Sequence, residues 1–384
     1  MERRVSGGAV LNNNLAEHNK KGKKGASSQL FRGVLSLVLL LAIITAGMLE
    51  FLALTEYNPA ESEMAAVLPG GRDLIGEGDV LRILTWNCGY GALGDNADFF
   101  MDGGKGVYTS KEERVHSNLA GIAEETAKLQ PDVIFYQEVD EFASRSYKIQ
   151  EVIELYNTLH EEYSLYYTSA FAYNLNVRFI PFPIPPIGRV RSGILTFSNT
   201  RARSAERIQL PSPFRWPVRL ANFKRCLLVE RLPLQNSDKE LVLINLHMDA
   251  YDNGEGKAAQ TQKLREIMEE EAENGNYVIA GGDFNQSFSN TDISAYPLQE
   301  GKWAPGSIDT AEFSDGWQCA MDSAVPTCRS LDQPLEGADK STFQYYVIDG
   351  FIVSSNIEIR SLKTQDLGFV YTDHNPVLME CALK

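Results

Sequence analysis

Residues 240–285 read ELVLINLHMDAYDNGEGKAAQTQKLREIMEEEAENGNYVIAGGDFN, two apolar strand-like runs with a helical segment between them. The runs cover residues 240–247 and 277–283, are rich in Leu, Ile and Val, and are bounded by Asn, Asp or Gly. Residues 257–272 predict a helix whose apolar face carries Leu264, Ile267, Met268 and Ala272. This order of strand, helix and strand is typical of an α/β fold.

Similar strand-like runs occur along the rest of the chain from Val80 onward. They cover residues 80–86, 132–138, 193–198, 226–232, 346–353 and 376–383. A second helix is predicted over residues 111–129, where Ser110 and Glu113 form a capping box. So many strands with only two long helices exceed the needs of one doubly wound sheet, so we expect two packed sheets with helices outside.

The composition is that of an acidic globular protein. The chain has 384 residues, 43% hydrophobic, with 36 Lys and Arg against 51 Asp and Glu and a net charge of -15. A balance of this size repels a phosphate backbone at long range. Nucleic acid is therefore a second choice of partner, which only a local basic face would favour.

The first 54 residues differ from the rest of the chain. Residues 1–32 carry seven Lys and Arg against two Glu, a net charge of +5, and predict a basic cytoplasmic tail. Residues 33–54 contain a single charged residue, Glu50, and a span of roughly 20 apolar residues crosses a bilayer core of about 30 Å. Because the basic flank favours a cytoplasmic N-terminus, we predict a transmembrane anchor with the rest of the chain outside the cell. A cleaved signal peptide is the alternative.

The segment after this anchor is predicted to be a linker. Residues 55–79 are rich in Gly, Pro and acid, so we place the folded domain at residues 80–384.

The five cysteines are too few for a fold that depends on disulfides. Cys88, Cys226 and Cys381 lie in apolar runs and are expected in the core, and no paired C-x-x-C spacing indicates zinc. An extracytoplasmic location permits a disulfide between Cys319 and Cys328, which the sequence leaves open.

Polar residues interrupt the apolar runs, mostly where the runs end. They are Asn87, Glu138, His247, Asp249, Asp283, Asn285, Asp349, Asp373 and His374. Any one alone is more often a turn former, a surface acid or a satisfied buried carboxylate. Together, converging carboxylates repel one another and require a cation, and oxygen ligands favour Mg²⁺ or Mn²⁺ over zinc or copper. Two histidines add protonated donors for the charge that develops during phosphoester cleavage, and a carboxylate can orient a water.

The motifs WNCGYG, QEVD, NLHMDAYD, GGDFN, ID and TDHNP occur in this order between residues 86 and 376. This ordered set resembles the endonuclease/exonuclease/phosphatase superfamily, as a membrane-anchored member of bacterial type. The resemblance extends from about residue 80 to the C-terminus. It implies the DNase-I-like fold, a four-layer α/β/β/α sandwich of two packed mixed sheets, and a metal-dependent phosphoester hydrolase in which water attacks phosphorus without a covalent intermediate.

The resemblance also implies a role for each residue. The metal ligands are Glu138, with Asn87 and Asp373 beside it. The catalytic residues are Asp283, which orients or deprotonates the attacking water; Asn285, which positions phosphate; His374, held in its tautomer by Asp349; and His247, a second phosphate contact. Asp249 either binds substrate or caps a turn.

Substrate choice is expected to depend on the segment from residue 166 to residue 225. Residues 171–193 and the stretch around Trp216 are apolar and rich in Pro, so we expect a loop and not a regular strand. It is either a packed surface loop or a lip of the site that touches lipid or an apolar substrate group. Arg178, Arg189 and Arg191 are available to a phosphate, and Arg191 is the substrate-binding candidate because it precedes the run GILTFS.

These observations predict a membrane-anchored, extracytoplasmic, Mg²⁺-dependent phosphodiesterase that acts on a lipid headgroup or another small phosphoester. A nuclease on the same side of the membrane is the first alternative. A module that binds a phosphoester without turnover is the second. The substrate, the number of metal ions and the oligomeric state are left open.

Overall fold

The computed structural model describes residues 8–71, 74–251 and 254–384. The chain divides into two compact units, one ending at Thr55 and the other covering Glu56–Lys384. The first unit consists of helix α1, Gly8–Leu54. Its part Gln29–Leu54 is apolar and long enough to cross a membrane, a property that an anchor and a signal sequence share.

The second unit contains three helices and eighteen strands in the part of the chain described. The helices are α2 (Glu112–Leu129), α3 (Glu151–Asn157) and α4 (Glu255–Glu273). The strands are β1 (Ser62–Ala65), β2 (Val67–Leu68), β3 (Val80–Asn87), β4 (Val133–Asp140), β5 (Thr168–Ile180), β6 (Gly188–Ser198), β7 (Ser204–Gln209), β8 (Cys226–Pro233), β9 (Glu240–His247), β10 (Tyr277–Asp283), β11 (Gln286–Phe288), β12 (Gly306–Ile308), β13 (Trp317–Ala320), β14 (Cys328–Arg329), β15 (Tyr345–Tyr346), β16 (Asp349–Ser354), β17 (Ile357–Thr364) and β18 (Val377–Leu383).

Two seven-stranded mixed sheets form the frame. One has the order β1-β7-β8-β9-β10-β16-β13, and the other has the order β17-β18-β3-β4-β6-β5-β2. Ile83 and Phe135 of one sheet pack between the sheets with Leu243 and Ile279 of the other. The outer faces are covered by helices, since residues of α2 pack beside Trp86 and residues of α4 pack with the other sheet. The predicted α/β/β/α sandwich is therefore confirmed.

The predicted loop at residues 171–193 is wrong. β5 and β6 form a long antiparallel hairpin, in which Phe171 pairs with Leu195 and Val177 with Val190. The prolines responsible for the prediction lie only in the connection, residues 181–187, where no strand hydrogen bond is needed. The pairing therefore extends almost to the connection at the tip, with register shifts between Tyr173 and Leu175 and between Val177 and Ile180.

The predicted linker, residues 55–79, is also corrected by the structure. β1 pairs with β7 and β2 pairs with β5, so this segment adds an edge strand to each sheet. Ile75 is buried in the core between the sheets. These strands have only four and two residues, too short for a periodic pattern to identify them.

All five cysteines are free, so the Cys319–Cys328 bridge that the sequence left open is not formed. Cys88, Cys226 and Cys381 are buried in the core, as expected.

Candidate functional site

The end of β10 is the centre of the candidate site. β9 runs parallel to β10 and β16 runs antiparallel to it, and the two registers place His247 and Asp349 on either side of Asp283. Residues far apart in sequence thus meet at one sheet edge because strand pairing fixes them opposite one another. Asn285 follows at once, and its backbone N–H donates to Asp283 Oδ1 over 2.9 Å.

The second sheet contributes Asn87 and Glu138 from the ends of the parallel pair β3 and β4. Asn87 Nδ2 donates to Asp283 Oδ2 over 3.0 Å, which joins the two sheets at the site. Glu138 has a positive φ of 53° at a point where the register between β4 and β6 shifts. A bulge re-aims a side chain, and a positive φ in a non-glycine residue is costly and typical of functional positions.

Both histidines approach Asp283. His247 Nε2 lies 3.4 Å from Asp283 Oδ2 and 4.0 Å from Glu138 Oε1. His374 Nε2 lies 3.7 Å from Asp283 Oδ2, and its Nδ1 lies 2.9 Å from Asp349 Oδ2. All the predicted catalytic side chains therefore meet around one carboxylate, and the predicted pairing of His374 with Asp349 is present.

The environments of these groups separate their pKa values. Burial and the repulsion from Asp349 raise the pKa of Asp283 to about 7. Burial alone lowers the pKa of His374, but Cys328 and the Asp349 carboxylate raise it, and the net pKa is well above the ordinary value. Burial, with Arg225 and His374, holds the pKa of His247 well below its ordinary value. Both histidines were expected as protonated donors, whereas these opposite pKa shifts favour the charged form of His374 and the neutral form of His247.

The predicted metal ligands Asn87, Glu138 and Asp373 all line the cleft, and oxygen donors of this kind suit a hard divalent cation. The Glu138 carboxylate makes no hydrogen bond to any residue within the described ranges, and it is a quarter exposed. Burial and the charge of Glu138 raise the pKa of Asp373, against the effect of His374. Two carboxylates that repel each other beside the Asn87 amide are a donor set suited to Mg²⁺ or Mn²⁺. Cys328 is a soft donor close to Asp373 and His374.

The structure places the two predicted substrate residues differently. Asp249 lines the cleft, but its carboxylate accepts from Arg225 Nε at 3.3 Å and from Gln260 Nε2 at 2.7 Å. Asp249 thus holds Arg225. Arg191 does not line the cleft; it pairs with Glu141 at 3.2 Å. Side chains alternate along β6, so Arg191 points away from the face that Val190 gives to the cleft.

Three arginines that the sequence analysis did not select line the cleft: Arg145, Arg225 and Arg329. Arg145 makes two hydrogen bonds of 2.9 Å to the buried carboxylate of Asp140, and its guanidinium lies 3.6 Å from the centre of the Tyr90 ring. Only the position of Arg145 just after the QEVD motif could have pointed to it. Arg225 and Arg329 lie outside the motifs and carry no comparable signal.

A cleft of about 460 Å³ surrounds these polar groups. Much of its wall is apolar: the β5–β6 hairpin and the segment before β8 contribute Leu175, Ile180, Ile187, Val190, Phe214 and Phe223. The opposite side adds Leu93, Phe99, Met101 and Trp303. A small polar centre with wide apolar walls suits a ligand that has one charged group and an apolar part.

Residues 84–374 match the model of the Endonuclease/Exonuclease/phosphatase family. The chain has no match among curated proteins. Its fold is similar to an endonuclease/exonuclease/phosphatase from Beutenbergia cavernae DSM 12333, with a TM-score of 0.50, 18% identity and coverage of 79% of this chain and 72% of that one. A family protein from Leptotrichia buccalis C-1013-b gives a TM-score of 0.51 and 15% identity over 79% of this chain and 100% of that one. An endonuclease/exonuclease/phosphatase from Bacteroides vulgatus gives a TM-score of 0.50 and 14% identity, over 80% of this chain and 100% of that one.

Likeness at these identities shows the fold alone, whereas the family match covers about three quarters of the chain. The members of that family hydrolyse phosphoester bonds, as endonucleases, exonucleases or phosphatases. The chain belongs to the endonuclease/exonuclease/phosphatase family.

Proposed function

We propose that this protein is a Mg²⁺-dependent phosphodiesterase that hydrolyses a lipid headgroup or another small phosphoester. One observation carries the proposal: carboxylates from both sheets converge with a charged and a neutral histidine inside a cleft whose walls are largely apolar. Carboxylates and histidines supply the chemistry of phosphoester cleavage, and the apolar wall favours a substrate with an apolar part.

Glu138, Asn87 and Asp373 would hold the cation. When bound there, Mg²⁺ or Mn²⁺ would neutralise these carboxylates and polarise a phosphoryl oxygen. Gly89 lies beside this set with a φ of 51°, and a Cβ there would come within 3.1 Å of Asp373 Oδ1. Glycine at this position therefore leaves room next to the ligand oxygens.

Asp283 is the base that takes the proton from the attacking water. Its pKa of about 7 matches a group that must accept a proton near neutral pH. The Asn285 backbone N–H and the Asn87 amide each donate to one of its oxygens, so the orientation of the carboxylate is fixed. His374, charged through Asp349, donates to the phosphoryl oxygen where negative charge develops. Neutral His247 forms the other side of the phosphate pocket, with Asn285 next to it.

The helix Gln29–Leu54 and the basic residues before it support a membrane anchor with the catalytic domain outside the cell. In that arrangement the substrate is an extracytoplasmic phosphoester. A nuclease is a second candidate, because exposed arginines near the cleft suit a phosphate backbone. The apolar wall of the cleft favours the lipid or small diester.

The test is a substrate panel with the Glu56–Lys384 fragment, which contains both sheets and the whole core. Sphingomyelin, phosphatidylinositol phosphates, bis-p-nitrophenyl phosphate and plasmid DNA are each assayed with Mg²⁺ and with EDTA. We expect Mg²⁺-dependent cleavage of a lipid or small diester, abolished by Glu138→Gln and retained in the control Glu141→Gln, whose residue pairs with Arg191 outside the cleft. Cleavage of DNA alone would assign the protein to the nucleases, and binding without any cleavage would make it a non-catalytic module.

A further inference from the structure

Four large apolar side chains stand exposed on two neighbouring segments. Phe182 and Ile184, at the tip of the β5–β6 hairpin, are 70% and 87% exposed. Trp216 and Val218, in the segment before β8, are 62% and 59% exposed. We call residues 178–189 and 213–223 together the rim. Exposed large apolar residues in a group indicate an interaction surface, whereas single ones do not.

The two segments of the rim flank the same cleft. Ile180 and Ile187, just below the hairpin tip, line the cleft, and so do Phe214 and Phe223 from the second segment. The turn Val218–Ala221 packs against β5. The exposed side chains therefore lie beside the entrance of the candidate site.

The rim is basic in an acidic protein. Residues 171–225 contain ten Lys and Arg against one acid, Glu206, a net charge of +9 in a chain of -15. Six of these ten have acidic partners. The other four, Arg178, Arg189, Arg201 and Arg215, are exposed, and within the described ranges no acidic side chain pairs with them. Arg178, Arg189 and Arg215 belong to the rim, next to the exposed apolar residues, whereas Arg201 lies outside it.

We propose that the rim docks on the surface of an anionic lipid bilayer. Aromatic and aliphatic side chains enter the boundary between headgroups and acyl chains, while arginines beside them pair with anionic headgroups. Nucleic acid would satisfy the arginines but would leave Phe182 and Ile184 in water, so the combination favours the bilayer.

Docking brings the cleft entrance to the headgroup layer, so the site would act on a phosphoester in the bilayer itself. This consequence rests on the proposed function. The docking does not, because none of the rim side chains that carry it belongs to the catalytic set. Binding and hydrolysis can therefore fail separately.

The test uses the tryptophans of the full chain. Of the four, Trp216 alone is in the rim, Trp86 is buried, and none lies in the apolar helix. The full chain is reconstituted in nanodiscs of phosphatidylcholine and phosphatidylglycerol, with and without brominated acyl chains, which quench nearby tryptophan. We expect bromolipid to quench part of the emission, and Trp216→Phe to remove most of that part. The matched control Trp317→Phe, on the edge strand β13, retains it.

A second variant tests the charge. Replacing Arg178, Arg189 and Arg215 together by Gln is expected to reduce the quenching several-fold, as should high salt or nanodiscs of phosphatidylcholine alone. The proposal would be overturned if Trp216→Phe left the bromolipid quenching unchanged. It would also be overturned if the quenching depended neither on salt concentration nor on lipid charge. An oligonucleotide that binds the rim while bromolipid has no effect would overturn it in favour of nucleic acid. Hydrolysis of soluble bis-p-nitrophenyl phosphate by the same samples reports separately on the active site.

Discussion

His247 and His374 both lie within 4 Å of one Asp283 oxygen, yet among the described residues only His374 has a carboxylate, Asp349, on its other nitrogen. That carboxylate keeps the imidazole charged, and activity that needs the charged form is lost as the pH rises through its pKa. We expect Asp349→Asn to move the alkaline limb of the kcat profile to lower pH by about 1 unit or more. NMR titration of the His374 ring would check the assignment. An unmoved limb would show that Asp349 does not set the charge of His374.

Asp283 couples the stability of the protein to pH. Its pKa is raised from 3.8 to about 7, so near pH 5 the folded protein holds a proton that the unfolded chain has released. The metal-free protein therefore loses stability as the pH rises from about 4 to 7. We expect the free energy of unfolding in EDTA, measured with urea, to fall over this window and to fall less in Asp283→Asn. Equal slopes for both proteins would contradict the raised pKa.

Arg145 shows what residue patterns could and could not predict. The residues that meet at the candidate site were predictable because polar types are conspicuous at the ends of apolar strands. Arg145, Arg225 and Arg329 were not, because arginine on a loop has no periodic signal and only tertiary packing turns it towards the cleft. The position of Arg191 outside the cleft lining was hidden for a related reason, since the alternation of β6 lay within a segment interpreted as a loop.

At the scale of elements, the end of β4 and the turn after it form a buried ionic unit. Asp140 is fully buried, and its partner Arg145 has 11% of its side chain exposed. Removing the Arg145 guanidinium leaves the buried Asp140 carboxylate without a partner. We therefore expect Arg145→Met to lower the free energy of unfolding by about 3–5 kcal/mol. Urea denaturation measures the loss, and Asp140→Asn with Arg145→Met should recover part of it. A loss below about 1 kcal/mol would mean that water already solvates Asp140.

The elements themselves were predicted unevenly, and the reason is length and pattern. β9 and β10 were found within a residue because they are continuous apolar runs with clear boundaries. β5 was missed because the connection that follows it is rich in Pro, although the strand itself ends at Ile180, before the first of these prolines. β1 and β2 are edge strands of few residues, whose identity depends on pairing with β7 and β5 and not on their own sequence.

In the whole molecule, the compact unit that contains the candidate site begins at Glu56 and not at Val80. A fragment from Val80 would lack β1, β2 and Ile75, which is 3% exposed between the sheets. We expect it to be less stable than Glu56–Lys384 by at least about 2 kcal/mol, the usual cost of deleting a buried Ile. The uncovered edges of β7 and β5 should also promote aggregation. Urea midpoints and light scattering compare the fragments, and equal midpoints would show that residues 56–79 are dispensable.

The central claim is that the cluster around Asp283 and Glu138 is a metal-dependent phosphoesterase site. The most direct test follows p-nitrophenol release from bis-p-nitrophenyl phosphate by Glu56–Lys384 and its Glu138→Gln variant, with Mg²⁺ and with EDTA. We expect hydrolysis only with Mg²⁺ and a loss of about 10²-fold or more in Glu138→Gln. Stability should change little, since Glu138 makes no hydrogen bond within the described residues. Equal rates for the two proteins, or hydrolysis that persists in EDTA, would contradict the claim.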